Sequence, residues 1–379
     1  MTPCSRRSFL KYGAAGLAAG SILARADGTN ARLAADGEFR RGGMIYRPLG
    51  KTGMNVSLLS FGSHTDHAYK VKTKLGDALT QEGQARRDRH LAKAFDLGVN
   101  FTDVYQNAGQ FEPLARAVKG RRDKIHISAS LTVKEPIGQN IEYACKLYDG
   151  YVDLYRVHFL PMHSEPEPLY LENWDVLRRA KEAGKVRAIG VSCHTEQHML
   201  QALRHLEGVD YVVFPYNFIH AKADYSEFLP AATARGIGLI AMKPLAAGSI
   251  ANLDPRLKNA VKPEDSQFQL YNSRDRAILP AVVAELTKTL NQLPDETLCQ
   301  AAIRYVYSRR FLSCTWTGMF DDRFVDDNYA ALADYDRMRK EEHAALDAAR
   351  KLKLIAGANW LPHYYRWLDG WVPEAAWGA

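Results

Sequence analysis

The chain has 379 residues, 46% hydrophobic and 25% charged, enough to bury a large core as one barrel-sized domain or two smaller ones. Its formal charge of +7 is concentrated at the start: residues 1–26 carry Arg6, Arg7, Lys11 and Arg25 and no acid, so only +3 belongs to the rest. That balance, with no long basic block, argues against a nucleic-acid partner.

Ser5-Arg6-Arg7-Ser8-Phe9-Leu10-Lys11 is a twin-arginine motif, followed by a weakly apolar run from Tyr12 to Ala24 and a small-residue cleavage site at Ala24-Arg25-Ala26. Residues 1–26 are therefore expected to be an export signal read by the twin-arginine machinery. The mature chain is expected in the periplasm or another extracytoplasmic space. No stable membrane insertion is expected after cleavage, because no segment reaches about 18 apolar residues.

Residues 27–43 read as a linker. Met44 to Phe61 reads as a hairpin turning at Gly50-Lys51-Thr52-Gly53 and running into a buried strand, Val56–Phe61. Leu91, Ala94, Phe95 and Leu97 mark a helix that stops at Gly98. Seven further short apolar runs predict strands: Val99–Asp103, Ile125–Ser130, Leu154–His158, Ala188–Ser192, Tyr211–Pro215, Gly238–Met242 and Ser313–Thr317. Helical patterns separate them; one carries Trp174, Leu177 and Ala180 on a face and stops at Gly184, another carries Met199, Ala202, Leu203 and Leu206. An irregular insertion occupies Ala247 to about Leu293. Eight strands in strict alternation predict an α/β fold, a (β/α)8 barrel over residues 44–353, better than a doubly wound sheet. The aromatic tail, residues 354–379, is expected to pack on the barrel.

Beyond the signal the cysteines are Cys145, Cys193, Cys299 and Cys314, widely spaced and without a Cys-x-x-Cys pair, which indicates neither a zinc ribbon nor an iron–sulfur site. Three read as packing; Cys193 stands at a strand end. In such a barrel the strand C-termini form one functional face. Ser63-His64, Asp103, Ser130, His158, Ser192-Cys193-His194, Tyr216-Asn217, Lys243 and Thr317-Gly318 stand there. Gly-rich loops and helix N-termini on such a rim bind phosphate.

Tyr46-Arg-Pro-Leu-Gly-Lys-Thr-Gly-Met-Asn-Val-Ser57, Gly98-Val-Asn-Phe-Thr-Asp103, Lys119-Gly-Arg-Arg-Asp-Lys124, Tyr151-Val-Asp-Leu-Tyr-Arg-Val-His158, Gly184-Lys-Val-Arg-Ala-Ile-Gly-Val-Ser192, Pro215-Tyr-Asn217, Lys243-Pro-Leu245 and Asp327-Asn328 occur in one order. In that order the chain resembles an aldo/keto reductase over Met44–Leu332. The resemblance implies a barrel that binds NADP or NAD in extended form, without a Rossmann fingerprint, and moves hydride between the nicotinamide and a small carbonyl or sugar-like alcohol. It implies Asp103, Tyr105 and His158 as catalytic residues, with the phenol as acid and Ser130 where the family places a lysine. On the cofactor wall it implies Ser192, Tyr216 stacking on the nicotinamide, Lys243, Pro244, Leu245, Gly318, Arg323 and Asn328. Lys243 either supplies the missing cation or contacts the pyrophosphate. Arg323 beside Phe324, with two acids near, argues against tight NADP specificity.

Two other readings stay open. His64, Asp66, His67, His158, His163 and His194 map near the rim, so a divalent metal there would make a lyase, isomerase or hydrolase. A barrel that binds without chemistry is the other.

Overall fold

The structure, a computed structural model, describes residues 37–336 and 344, except 74–75, 106–107, 132–136, 159–167, 195, 219–220, 222, 224–226, 246–249, 251–289, 291–295 and 334. The expected export signal, most of the insertion and the aromatic tail thus lie outside the described residues.

The described chain enters through an antiparallel sheet of β1 (Phe39–Arg41), β2 (Met44–Pro48) and β3 (Asn55–Ser57). The linker expected over residues 27–43 therefore gives way to a strand at Phe39, which pairs with Tyr46. The single strand expected over Val56–Phe61 is two. β3 pairs with β2, and after Leu58 the chain turns into β4 (Leu59–Phe61) of the barrel. Asn100 holds the joint, its Oδ1 accepting from the Ser57 amide at 2.7 Å and its Nδ2 donating to the Asn55 carbonyl at 2.9 Å.

A two-stranded ribbon, β5 (Lys70–Thr73) and β6 (Gly76–Leu79), follows β4. Seven more strands complete the cylinder: β7 (Phe101–Tyr105), β8 (His126–Leu131), β9 (Val152–His158), β10 (Val186–Ser192), β11 (Tyr211–Pro215), β12 (Gly238–Met242) and β13 (Cys314–Thr317). With β4 they form a closed barrel, every pair parallel, β13 returning to β4. Outside lie helices α1 (Gln81–Asp96), α2 (Phe111–Ala117), α3 (Gly138–Leu147), α4 (Pro168–Glu182), α5 (Glu196–His205), α6 (Phe228–Ala234), α7 (Leu298–Tyr307) and α8 (Asp322–Ala330). No helix among the described residues is long and apolar enough to cross a membrane.

Strand alternation sorts the side chains into two cores. Phe101, Leu154, Ala188, Tyr211, Val213, Ile240, Cys314 and Trp316 fill the barrel, closed at the N-terminal end by Leu49, Met54 and Val56 from the hairpin. The alternate residues pack against the helices. Arg47 pins the hairpin, donating to Glu38 at 2.6 Å and to the carbonyls of Tyr307, Leu312 and Arg309 at 2.8, 2.9 and 3.0 Å. Gly190 is required by the filling: a Cβ there would lie 2.5 Å from the Tyr211 carbonyl oxygen and 2.6 Å from its ring.

Candidate active site

Below the C-terminal rim the barrel holds an ion pair. Arg156 of β9 points inward and grips Asp103 of β7 with both ends of its guanidinium, at 2.6 and 3.0 Å. Its Nη1 also donates to Ser128 Oγ at 2.7 Å, and the group lies 4.5 Å over the Trp316 ring. Asp103 and Arg156 are both almost fully buried. A buried carboxylate persists only when paired and hydrogen-bonded, and the planar guanidinium supplies both. By backbone register Tyr105, Ser130, Arg156 and Gly190 form one row across adjacent strands. A cation thus stands one strand over from Ser130. Sequence reasoning missed Arg156; its signal was a charge set between the apolar Leu154, Tyr155 and Val157 of β9.

Above this pair lies a cluster of nitrogen bases. His158 ends β9 and its Nδ1 is 2.7 Å from the hydroxyl of Ser192, its register partner on β10. The His194 ring stands edge-on to that of His158, centroids 4.8 Å apart. Lys243, just past β12, brings its amine to 2.8 Å from His194 Nε2. Burial first, then the nearby charges of Lys243, Arg156 and His198, push the His158 pKa down to about 3, so the ring is neutral at physiological pH. Burial pushes Lys243 down to about 7. Lys243 also has φ of 58°, a left-handed conformation that a side chain with a Cβ rarely adopts. Such strain concentrates at functional sites.

The model of the Aldo/keto reductase family matches residues 73–351. The chain belongs to that family. Among related sequences, the probable voltage-gated potassium channel subunit beta of Arabidopsis thaliana is 28% identical over 320 residues, covering 76% of this chain and 91% of that protein. The L-glyceraldehyde 3-phosphate reductase of Escherichia coli is 24% identical over 335 residues, covering 80% and 91%. Among solved structures, an aldo-keto reductase from Bacillus halodurans superposes with a TM-score of 0.59 at 20% identity, covering 80% of this chain and 95% of that one. One from Klebsiella pneumoniae, solved in complex with NADPH, gives 0.55 at 18% identity, covering 79% and 93%.

In this aldo/keto reductase the residues expected on the cofactor wall divide. Tyr216 is a correction: it is fully buried and faces out of the barrel, stacked at 10° on Tyr305 with centroids 6.0 Å apart and edged by Phe311. Alternation from inward Val213 sends Tyr216 into the helix layer, so its ring is not offered to a nicotinamide. The Ser192 hydroxyl is committed to His158. Lys243 turns its amine to His194, toward the cluster of nitrogen bases. Pro244 is buried, and Leu245 packs against the outer core. Gly318 follows β13, where a Cβ would press on the Phe320 ring at 3.0 Å. The Arg323 guanidinium lies over Phe324, while the Arg323 amide is capped by Asp321 at 2.9 Å. Asn328 is buried against α7, its carbonyl accepting from Tyr307 Oη at 3.1 Å.

Tyr105 ends β7, but its phenol lies outside the described residues, as do His163 and the His67 side chain. His64 is exposed, and among the described residues no three His, Cys, Asp or Glu side chains converge as a metal site requires. Cys193 is fully buried and its thiol is pushed well up by burial, the environment of an inert cysteine.

Two buried hydroxyls at the strand ends, Ser130 Oγ and Thr317 Oγ1, find no hydrogen-bond partner among the described residues. Gly62 sits beside Thr317, where a Cβ would come within 2.9 Å of the Thr317 carbonyl oxygen. Unsatisfied hydroxyls beside bare backbone fit a polar ligand such as a dinucleotide. At the start of α8 the carboxylates of Asp321 and Asp322 occupy the position an additional phosphate would seek.

Proposed function

We propose that this chain is an exported aldo/keto reductase that interconverts a small carbonyl compound, sugar-like in size and polarity, with its alcohol. The nicotinamide dinucleotide supplies or accepts the hydride. The observation that carries the reading is the stack at the rim, with neutral His158 held by Ser192 over the compensated Asp103–Arg156 pair. When the Ser192 hydroxyl donates to Nδ1, the His158 proton sits on Nε2, where it donates to a carbonyl oxygen and orients it. Asp103, neutralised by Arg156, acts as an electrostatic floor rather than a base.

Arg156 takes the charge-compensating place that a lysine at position 130 would fill, which reconciles Ser130 with retained chemistry. Ser130, Thr317, Gly318 and the Pro244–Leu245 segment would hold the nucleotide, and Arg323 and Asn328 would flank its far end. Asp321 and Asp322 beside Arg323 remove the advantage of a 2′-phosphate, so NADH and NADPH are expected to bind with similar strength. The twin-arginine motif at Arg6-Arg7 supports export in the folded state with the nucleotide already bound.

The test is a titration of the mature protein, stripped of metal and of any nucleotide carried through purification, with NADH and NADPH, following quenching of its six tryptophans. Saturable quenching by both is expected. Absence of binding by either, with stoichiometric metal in untreated protein, would sink the reading.

A further inference from the structure

Lys243 combines three features that packing alone does not require. It is the only non-glycine residue besides Asp149 with positive φ among the described residues. Its amine is drawn into the barrel mouth. There it contacts a second nitrogen base, His194 Nε2, at 2.8 Å. That contact is a hydrogen bond only if one partner presents a lone pair, so the ammonium and the imidazolium cannot both be present in it. Each proton arrangement of the pair is a charge state of one bonded unit. From the neighbouring elements the same pocket is faced by His194 after β10, His198 on α5, and His158 and Arg156 on β9, the last neutralised by Asp103 on β7.

We propose that Lys243 is the acid–base catalyst of this site, giving a proton to the substrate oxygen in reduction and taking it in oxidation. The inference rests on the reductase reading and assigns its proton. In reduction the carbonyl carbon gains a hydride, the C=O π pair moves to oxygen, and that oxygen takes the proton from Nζ, leaving a neutral amine. The amine, on a part-exposed side chain, regains a proton from solvent. An amine with a pKa near 7 is matched to this task at neutral pH, whereas an unperturbed phenol, at about 10, is not.

The test uses the mature protein with NADPH and glyceraldehyde as probes, and glycerol with NADP for the reverse direction. Reduction requires the ammonium, so its rate falls as pH rises through about 7, while oxidation requires the free amine and rises through the same midpoint. K243M is expected to lower both rates by roughly 10²–10⁴-fold while keeping saturable NADPH quenching. K243A is expected to regain rate with added methylamine, a rescue that a structural lysine would not show. Should K243M and K243A fail to fold, K243R is read instead: its fixed charge should flatten the midpoint near 7.

Independently of turnover, the Lys243 amine, identified in 15N-lysine spectra by its loss in K243R, should titrate near 7. A midpoint near 10 overturns the proposal, as does a pH profile that shifts with Y105F but not with K243R. Wild-type protein that shows no saturable NADPH quenching fails the reductase reading itself, before any rate is read.

Discussion

The two ends of the barrel bury charge in opposite styles. At the N-terminal end Asp153, 1% exposed, takes Arg122 at 2.7 Å, Arg187 at 2.8 Å, His126 at 3.4 Å and the Ile127 amide at 3.0 Å. Arg47 is equally well supplied with acceptors there. At the C-terminal rim, bases face bases: Lys243 on His194, His194 against His158, with Lys243 in a strained backbone conformation. Partners at one end are opposite in charge; at the other, burial disfavours the charged forms of His158 and Lys243, and neighbouring cations add to this at His158. The first arrangement stabilises a fold, and the second holds groups ready to exchange protons. In (β/α)8 barrels the N-terminal face serves stability and the C-terminal face serves chemistry, and here that division can be read in hydrogen bonds.

The largest effect that would break this contrast is at Asp153. D153N leaves Arg122 buried without its carboxylate, along with the more exposed Arg187, and should cost about 3–5 kcal/mol in urea unfolding. Burial raises the Asp153 pKa, but the His126 hydrogen bond, the Arg122 charge and the Ile127 amide outweigh it and hold the group below its usual value. Its contribution is therefore complete above the unfolded carboxylate pKa of about 4 and is lost as pH falls further. The wild-type advantage over D153N should shrink below about pH 4. Equal stability of the two proteins at pH 7 would mean that the N-terminal network is ornamental and the contrast false.

Much of the barrel was legible from the sequence because each strand is a short apolar run between a helix stop and a new helix. Tyr211–Pro215 and Gly238–Met242 coincide with their predicted bounds, and Gly184 does end its helix with φ of 73°. What was hidden is facing. Strands of a parallel barrel are buried on both sides, so apolar alternation does not say which parity points inward. That is why Tyr216 was expected on the cofactor and lies instead in the helix layer. The same blindness concealed Arg156, whose inward direction follows only once Leu154 is seen to line the interior. The β5–β6 ribbon was missed because Lys70, Lys72 and Asp77 give it no apolar stripe. The Lys243–His194 contact joins residues 49 apart in sequence, and no spacing rule reports it.

A mid-sized effect tests whether the interior between the two ends is as tightly filled as the ion networks suggest. G190A places a methyl 2.5 Å from the Tyr211 carbonyl oxygen, a backbone atom that cannot swing aside. The overpacked core should lose roughly 1–3 kcal/mol, with a matching fall in melting temperature. G190A lies in the row of Ser130 and Arg156, so its strain should also disturb the ion pair and slow turnover. An unchanged melting temperature would indicate that the barrel yields at this level.

The last effect has the opposite sign, and sharpens the comparison most. K243G replaces a left-handed lysine by the residue for which that conformation carries no Cβ penalty, worth about 1 kcal/mol. It also removes an amine whose protonated form burial disfavours. A lysine lowered to about 7 in the folded state, against about 10.4 unfolded, destabilises fully at and below pH 7, and the penalty fades as pH rises toward 10. K243G should therefore be more stable than wild type, by more at pH 7 than at pH 10, and catalytically impaired. D153N loses stability and K243G gains it, although both remove an ionisable group that its surroundings desolvate. If K243G instead unfolds as readily as D153N, Lys243 belongs to the scaffold, and the strain at φ of 58° is held for packing rather than for proton transfer.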